Sequence, residues 1–272
     1  MYGPIFDKKS IKSKKPLFYL VQRGNQKNCL DYCLKKQALD LGVNILFKKR
    51  IDNQTATIVA TGPKIPHIIA VGYTFKTDLD DMAVGIFDDT LAPKGYAYLL
   101  VNKRKATLAT VLFKDFKNQK NYLDKTISKF KKILNLKMKK KKKFAGYGNW
   151  YTKNTTMKKD KLYVGEAAGF QDALWGFGMK YAFISGYLAA KSITENKNYN
   201  YLWKKELLGK LKTSLSNRFL YELMDNKRYN FIISKMTVKK DIATFLRKNY
   251  NPSITKKIVY PLAKNFLMNR SK

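Results

Sequence analysis

The chain has 272 residues, with 55 Lys and Arg against 19 Asp and Glu, which gives a formal net charge of +36 and a pI near 10. A content of 45% hydrophobic and 14% aromatic residues excludes intrinsic disorder, which needs low hydrophobicity as well as high charge, and predicts one large domain or two intimately packed ones. No apolar run reaches the roughly 18 residues of a membrane-spanning helix, and the opening MYGPIFDKKSIKSKKP lacks the apolar centre of a secretory signal, so a reducing cytoplasm is the expected compartment.

From Pro16 the sequence PLFYLVQRG predicts a strand ending at Arg23 and Gly24. A helix follows, with Cys29, Leu30, Cys33, Leu34, Ala38 and Leu41 at three- and four-residue spacing, Asn25 or Asn28 as its cap and Gly42 as its stop. The two cysteines are too few and too close for a disulfide framework. Structural zinc needs four ligands, and the lone histidine, His67, leaves the set incomplete, so Cys29 and Cys33 read as small buried hydrophobes and no metal site is expected. Val43–Phe47 and Ala56–Ala60 read as short strands, with Asp52-Asn53 as the turn between them.

A loop punctuated by Gly62, Pro63 and Pro66 precedes an extended stretch; His67, at its start, reads as a loop or core residue. Met82–Phe87, Gly95–Val101 and Ala106–Phe113, separated by APKG and NKRK turns, predict an antiparallel sheet. The apolar stripe of Asn121–Leu136 (Leu123, Ile127, Phe130, Ile133, Leu134) predicts a helix covering one face of that sheet. Lys137–Lys143, interrupted by Met138, reads as a solvated loop or strand edge. Lysines are spread through every segment, which fits a composition bias better than a designed patch. Arginine is the usual reader of phosphates and bases, so specific nucleic-acid recognition is not expected, although a field of this sign favours anionic membrane surfaces and non-specific nucleic-acid binding.

The segment KLYVGEAAGFQDALWGFGMKYAFISGYLAAKSI, Lys161 to Ile193, carries the most chemical information. A strand breaks at Gly165, a loop with Gly169, Gly176 and Gly178 follows, and a long helix then presents a face of small residues (Ala182, Ser185, Gly186, Ala189, Ala190), which predicts a buried helix. Such a loop lets backbone amides approach a bulky ligand, and the helix beginning near Gly178 would point its positive end at an anion or a developing negative charge. A tight strand-to-helix connection in a packed core is the alternative. The last eighty residues or so, from Asn196, read as basic and helical.

Several of these segments together resemble the geranylgeranyl reductase group of flavoproteins, within the p-hydroxybenzoate hydroxylase-like class of FAD enzymes. Gly165-Glu166-Ala167-Ala168-Gly169 is similar to the family's Gly-Asp-Ala-Ala-Gly, and Gly176-Phe177-Gly178 followed by SGYLAA to its Gly-x-Gly helix entry. QRGNQKNCLDYCLKKQALDLGV, IVATGPK and APKGYAYLLVNKRKATLATVLF resemble three further family segments.

The resemblance implies a mixed α/β (α+β) fold. It would be an FAD-binding three-layer architecture of the p-hydroxybenzoate hydroxylase type, N-terminally truncated, with an antiparallel substrate-domain sheet and a helical C-terminus. It divides the chain into a partial FAD-binding domain (1–62 and 160–195), a substrate domain (63–159) and a basic helical region (196–272). It implies FAD as cofactor, with Arg23, Gly165, Glu166, Ala168, Gly169, Gly176, Gly178 and Met179 as its contacts and Glu166 on a ribityl hydroxyl. Tyr96, Tyr98, Trp175 and Phe177 would line an apolar, isoprenoid-lipid-type substrate pocket, and the flavin itself would carry the chemistry, with no catalytic side chain identified.

The chain departs from the family pattern in having no Gly-x-Gly-x-x-Gly fingerprint, and in Ala173, Trp175 and Phe177, where the family usually has Pro, Thr and Gly. Three alternatives stay open: a flavin-dependent oxidoreductase, bound at the periphery of a membrane; a non-catalytic remnant or partner subunit, to which a second chain supplies the dinucleotide-binding half; and a basic nucleic-acid-binding protein.

Overall fold

The computed structural model describes residues 1–5, 8–11, 13, 16–49, 51, 55–63, 66–150, 156–158, 161–237 and 241–269. Its centre is a five-stranded antiparallel sheet in the order β3-β4-β5-β2-β6, built from β2 (Ile68–Lys76), β3 (Met82–Ile86), β4 (Tyr96–Asn102), β5 (Lys105–Leu112) and β6 (Lys139–Gly148). The three strands expected from alternation are therefore present, and β2 is the extended stretch after the proline-rich loop. Asn102 pairs with Lys105 across the β4–β5 turn, where Lys103 and Arg104 adopt left-handed φ values of 48° and 59°. Two consecutive left-handed residues give a two-residue hairpin the twist that its strands need.

Period-two alternation decides which side chains meet which layer. From β4, Ala97, Leu99 and Val101 point to one face and pack with Val71, Phe75, Leu108, Leu123 and Phe130. Leu123 and Phe130 belong to α2 (Gln119–Leu134), which covers that face as its apolar stripe predicts. Tyr96 and Tyr98 point to the other face, among Ile68, Val111, Phe113, Trp150, Ala173, Leu215 and Leu267. The lysine run forms the first half of β6, an edge strand, and lysines along an edge discourage pairing with another sheet.

A second, small sheet has the order β1-β8-β7, with β1 (Ile58–Val59) parallel to β8 (Lys161–Tyr163) and β7 (Met157–Lys158) antiparallel to it. The expected Ala56–Ala60 strand is thus shortened to two residues. After β8 come α3 (Met179–Thr194), α4 (Tyr199–Trp203), a π turn over Lys204–Leu208, α5 (Gly209–Glu222), α6 (Asn226–Thr237), α7 (Ile242–Tyr250) and α8 (Ile254–Asn269), so the C-terminal part is helical as expected. Phe170, Leu188, Ala189, Tyr199, Trp203 and Leu207 form a separate core between the small sheet and these helices. The small-residue face of α3 is only partly buried: Ser185 and Ala189 face this core, while Ala182 and Ala190 lie on the solvent side. Spacing alone predicts which residues share a helix face, and neighbours then decide how much of it is covered.

His67 is a core residue. Its ring stacks on Trp150 at 4.4 Å and its Nδ1 accepts the Trp150 backbone N–H at 3.3 Å. Among the described residues no cluster of potential metal ligands exists and no helix is long and apolar enough to cross a membrane.

Residues 12–56 form a compact unit distinct from residues 1–11 and 57–272. Among its described residues the one helix is α1 (Leu30–Asp40), which ends just before Gly42 as expected. The sequence reading fails elsewhere in this unit. Neither Pro16–Arg23 nor Val43–Phe47 is a strand, and Phe18 and Tyr19 are largely exposed. An apolar run becomes a strand only where a partner completes its backbone hydrogen bonds. The helix cap is Cys29, which makes no side-chain capping bond, rather than Asn25 or Asn28. Cys29 is buried but Cys33 is exposed, so only the first fits the expected small hydrophobe. The Asp52-Asn53 turn lies outside the described residues.

Candidate functional site

The segment between β8 and α3 is a loop held from several directions. Gly165–Ala168 makes a single 3₁₀ turn that Gly169 closes, with the Gly169 N–H donating to Glu166 O at 2.9 Å. A second turn follows, in which the Asp172 N–H donates to Phe177 O at 3.0 Å and the Gly176 N–H to Asp172 O at 2.9 Å. Gly176 adopts φ +79°, which favours glycine, and an added Cβ would sit 3.2 Å from Ile68 Cδ1, so that side chain would have to give way to it.

Gln171 ties the two turns together. Its Nε2 donates to Glu166 Oε1 at 2.7 Å and to Gly176 O at 2.9 Å. Distant elements secure the rest. Ser185 Oγ on α3 accepts the Gly165 N–H at 2.9 Å, Ser214 Oγ on α5 accepts the Ala173 N–H at 3.2 Å, and the Tyr96 hydroxyl on β4 donates to Trp175 O at 2.6 Å. A loop fixed by so many partners is preorganised, so it does not have to order itself around a ligand.

Asp172 lies at the buried end of the second turn. Its Oδ2 accepts the Trp175 N–H at 2.7 Å and the Tyr250 hydroxyl at 3.3 Å, while its Oδ1 has no hydrogen-bond partner among the described residues. Burial raises its pKa to about 6, against the lowering effect of the backbone N–H groups of Trp175 and Leu174. Burial first, and then the neighbouring Asp172 charge, push the Tyr250 phenol upward.

Arg218 on α5 is fully buried, with its guanidinium 4.0 Å from the Phe113 ring centroid and 4.8 Å from that of Tyr221. It donates to Lys94 O at 2.6 Å and Leu174 O at 3.3 Å and pairs with Glu222 at 2.9 Å.

The sequence-derived candidates divide accordingly. Gly165, Glu166, Ala168, Gly169, Gly176, Gly178 and Met179 share this loop and the first turn of α3. Gly178 caps α3 with no side chain of its own, and an added Cβ would lie 3.1 Å from Glu166 Oε1 and 3.4 Å from Gln171 Nε2, so the glycine keeps the helix entry and the carboxylate side by side. Tyr96, Tyr98 and Trp175 also come together. The Trp175 ring meets Tyr96 edge-on at 5.5 Å, Phe87 at 5.4 Å and Tyr221 at 5.4 Å, and Tyr96 lies 6.2 Å from Tyr98.

Phe177 stands apart from this cluster and is 63% exposed. Arg23 belongs to the unit of residues 12–56, where its guanidinium makes a bidentate pair with Asp31 at 2.7 Å and holds that carboxyl well below the usual carboxylate range. Gln171, Asp172, Arg218, Glu222 and Tyr250 were not anticipated. The one signal in the sequence is a charged Arg218 immediately before the apolar Phe219 and Leu220, on a helix that also buries Leu211, Leu215 and Tyr221.

Among solved structures, a geranylgeranyl bacteriochlorophyll reductase-like protein from Thermoplasma acidophilum superposes with a TM-score of 0.66 at 16% identity, over 98% of this chain and 81% of that one. A flavoprotein/dehydrogenase from Cytophaga hutchinsonii gives 0.52 at 14% identity over 92% and 78% of the two chains. The flavin-dependent halogenase CmlS gives 0.51 at 13% identity over 88% of this chain and 58% of its own. This fold is one that flavin-dependent proteins use. At these identities the likeness concerns the fold alone. No protein-family profile and no curated protein sequence matches the chain. The antiparallel sheet and helical C-terminus expected from the sequence are thus placed in a fold shared with flavoproteins.

Proposed function

We propose that the protein is an FAD-dependent oxidoreductase of the geranylgeranyl reductase-like kind, acting on an apolar substrate of the isoprenoid-lipid class. The observation that carries this reading is the preorganised loop of Gly165–Gly178 opening onto the uncapped start of α3, in a chain whose fold matches that of flavoproteins. The residues present fit the ring and ribityl end of the cofactor. Glycine at 178 leaves the helix entry open, Glu166 offers carboxylate oxygens beside it, and the buried Gln171 Oε1 has no partner among the described residues.

Bound flavin would supply hydride transfer to or from the substrate. The chain's own residues would do the rest. Glu166, held by Gln171, would accept a hydrogen bond from a cofactor hydroxyl. The first amides of α3, at the positive end of a 16-residue helix, would stabilise negative charge at the helix entry. Trp175, Tyr96 and Tyr98 would present an apolar wall, with Tyr96 fixing the Trp175 backbone and Asp172 fixing the turn beneath it.

A fluorescence titration of FAD with the protein, repeated with Glu166→Ala, tests the reading. Saturable quenching that weakens about tenfold in the variant, as expected for losing one charge-assisted hydrogen bond, supports it. Quenching that is absent, or indifferent to Glu166, favours the non-catalytic alternative.

A further inference from the structure

Helix α8 packs Ala263 and Leu267 inward, yet on its outer side Ile254, Ile258 and Leu262 are 78%, 70% and 62% exposed. Four-residue spacing stacks these three one turn apart along a single stripe. At 100° per residue, the exposed Lys257 and Lys264 lie together along one side of that stripe. Isoleucine and leucine are among the side chains most often buried, and a contiguous row of them on a surface marks a place where something docks.

The charge on the chain selects among occupants. A second copy would bring its own +36 and its own bordering lysines against the first, so self-association through this face is opposed. A water-soluble acidic partner would satisfy the lysines without needing three aliphatic side chains. An anionic bilayer surface offers negative headgroups and, just beneath them, hydrocarbon. The helix is not of the kind that spans a membrane, and an amphipathic helix of this pattern lies flat in the interface instead.

We propose that α8 is an interfacial helix, laying Ile254, Ile258 and Leu262 into the surface of an anionic lipid bilayer with Lys257 and Lys264 at headgroup level. This inference stands apart from the flavin reading, and its test needs no flavin.

The test is flotation of the full chain with vesicles of phosphatidylcholine alone and of phosphatidylcholine mixed with phosphatidylserine, with circular dichroism to confirm that each variant folds. Because +36 of charge draws the protein to anionic vesicles by itself, the apolar contribution is read from the uncharged double variant Ile258→Ser/Leu262→Ser. A tryptophan reporter, Ile258→Trp, reads insertion directly. Binding to the anionic vesicles that weakens about tenfold or more in the double serine variant, together with a blue shift of the reporter on those vesicles and none on neutral ones, is the expected result. Undiminished binding by the serine variant, an unshifted reporter, or a wild-type dimer in light scattering that the serine variant dissociates would each overturn the proposal. The last of these would mean that a second copy covers the stripe.

Discussion

The Gln171 amide nitrogen lies 2.7 Å from Glu166 Oε1 and 2.9 Å from the Gly176 carbonyl oxygen, so one buried side chain joins the two turns of the glycine loop. Gln171→Leu removes both bonds at nearly constant volume and leaves a carbonyl and a carboxylate oxygen without that donor. Leaving such half-buried acceptors unmade costs on the order of 1 kcal/mol, the low end of the range for enclosed ones. Urea denaturation of the variant is expected to show a loss of that order, and its FAD affinity to fall further than that of variants elsewhere in the chain with equal loss of stability. Unchanged stability would mean that Gln171 does not brace the loop.

Asp172 makes stability depend on pH in a direction opposite to that of most carboxylates. Its pKa is raised from 3.8 to about 6 by burial, so the folded chain resists its ionisation. The contribution it makes is fully present below about pH 4 and is lost as pH rises through about 6, and two pKa units correspond to on the order of 3 kcal/mol. Asp172→Asn keeps an acceptor for the Trp175 N–H and cannot ionise. The stability difference between variant and wild type should therefore shift in favour of the variant between pH 4 and about 6.5 and level off above, as urea midpoints across that range would show. A difference that is flat with pH would contradict this.

Arg218 and Glu222 test a buried pair. Both side chains are fully enclosed and 2.9 Å apart, with Lys114 reaching Glu222 at 3.3 Å. Arg218→Met leaves Glu222 as an enclosed charge, and breaking such pairs costs about 3–5 kcal/mol, whereas replacing both members by apolar side chains is often close to neutral. The double variant Arg218→Met/Glu222→Leu is therefore expected to be more stable than Arg218→Met alone in a thermal or urea melt. If the double variant is the less stable of the two, Glu222 paired with Lys114 contributes more to the fold than its enclosure costs.

How much of this fold and site is legible in the amino-acid sequence follows from the kind of signal each part carries. The β3–β4–β5 sheet and α2 could be read because alternation in Tyr96–Asn102 and the four- and three-residue spacing of Leu123, Ile127 and Phe130 depend only on neighbours along the chain. The glycine loop was legible because Gly165, Gly169, Gly176 and Gly178 mark backbone geometry directly. The Pro16–Arg23 strand was misread because its residues have apolar character without a partner strand. The lysine run became β6 only through pairing with β2. Asp172 and Arg218 carry no local signal because their roles come from remote elements: Tyr250 reaches Asp172 from 78 positions away and Arg218 reaches Lys94 O from 124. Gln171 acts on neighbours five positions away, Glu166 and Gly176, but only the folded turns bring its amide onto them.

Gly176 provides a further check on the loop. A β-carbon there meets Ile68 Cδ1 at 3.2 Å in a left-handed conformation, so Gly176→Ala should cost about 1–3 kcal/mol and weaken FAD binding. Gly146→Ala, where an added Cβ meets nothing within 4 Å, should change neither. Melting curves and FAD titrations of the two variants side by side would show it.

The most direct measurement is the visible absorbance spectrum of the purified protein, incubated with excess FAD and then desalted, beside Gly178→Trp, which places an indole where the helix entry meets Glu166. A flavin spectrum retained by wild type and lost by a folded Gly178→Trp is the result expected if the loop and the start of α3 hold the cofactor. A wild type that emerges colourless, or a variant that keeps its flavin unaltered, would contradict the assignment of this loop as a flavin site.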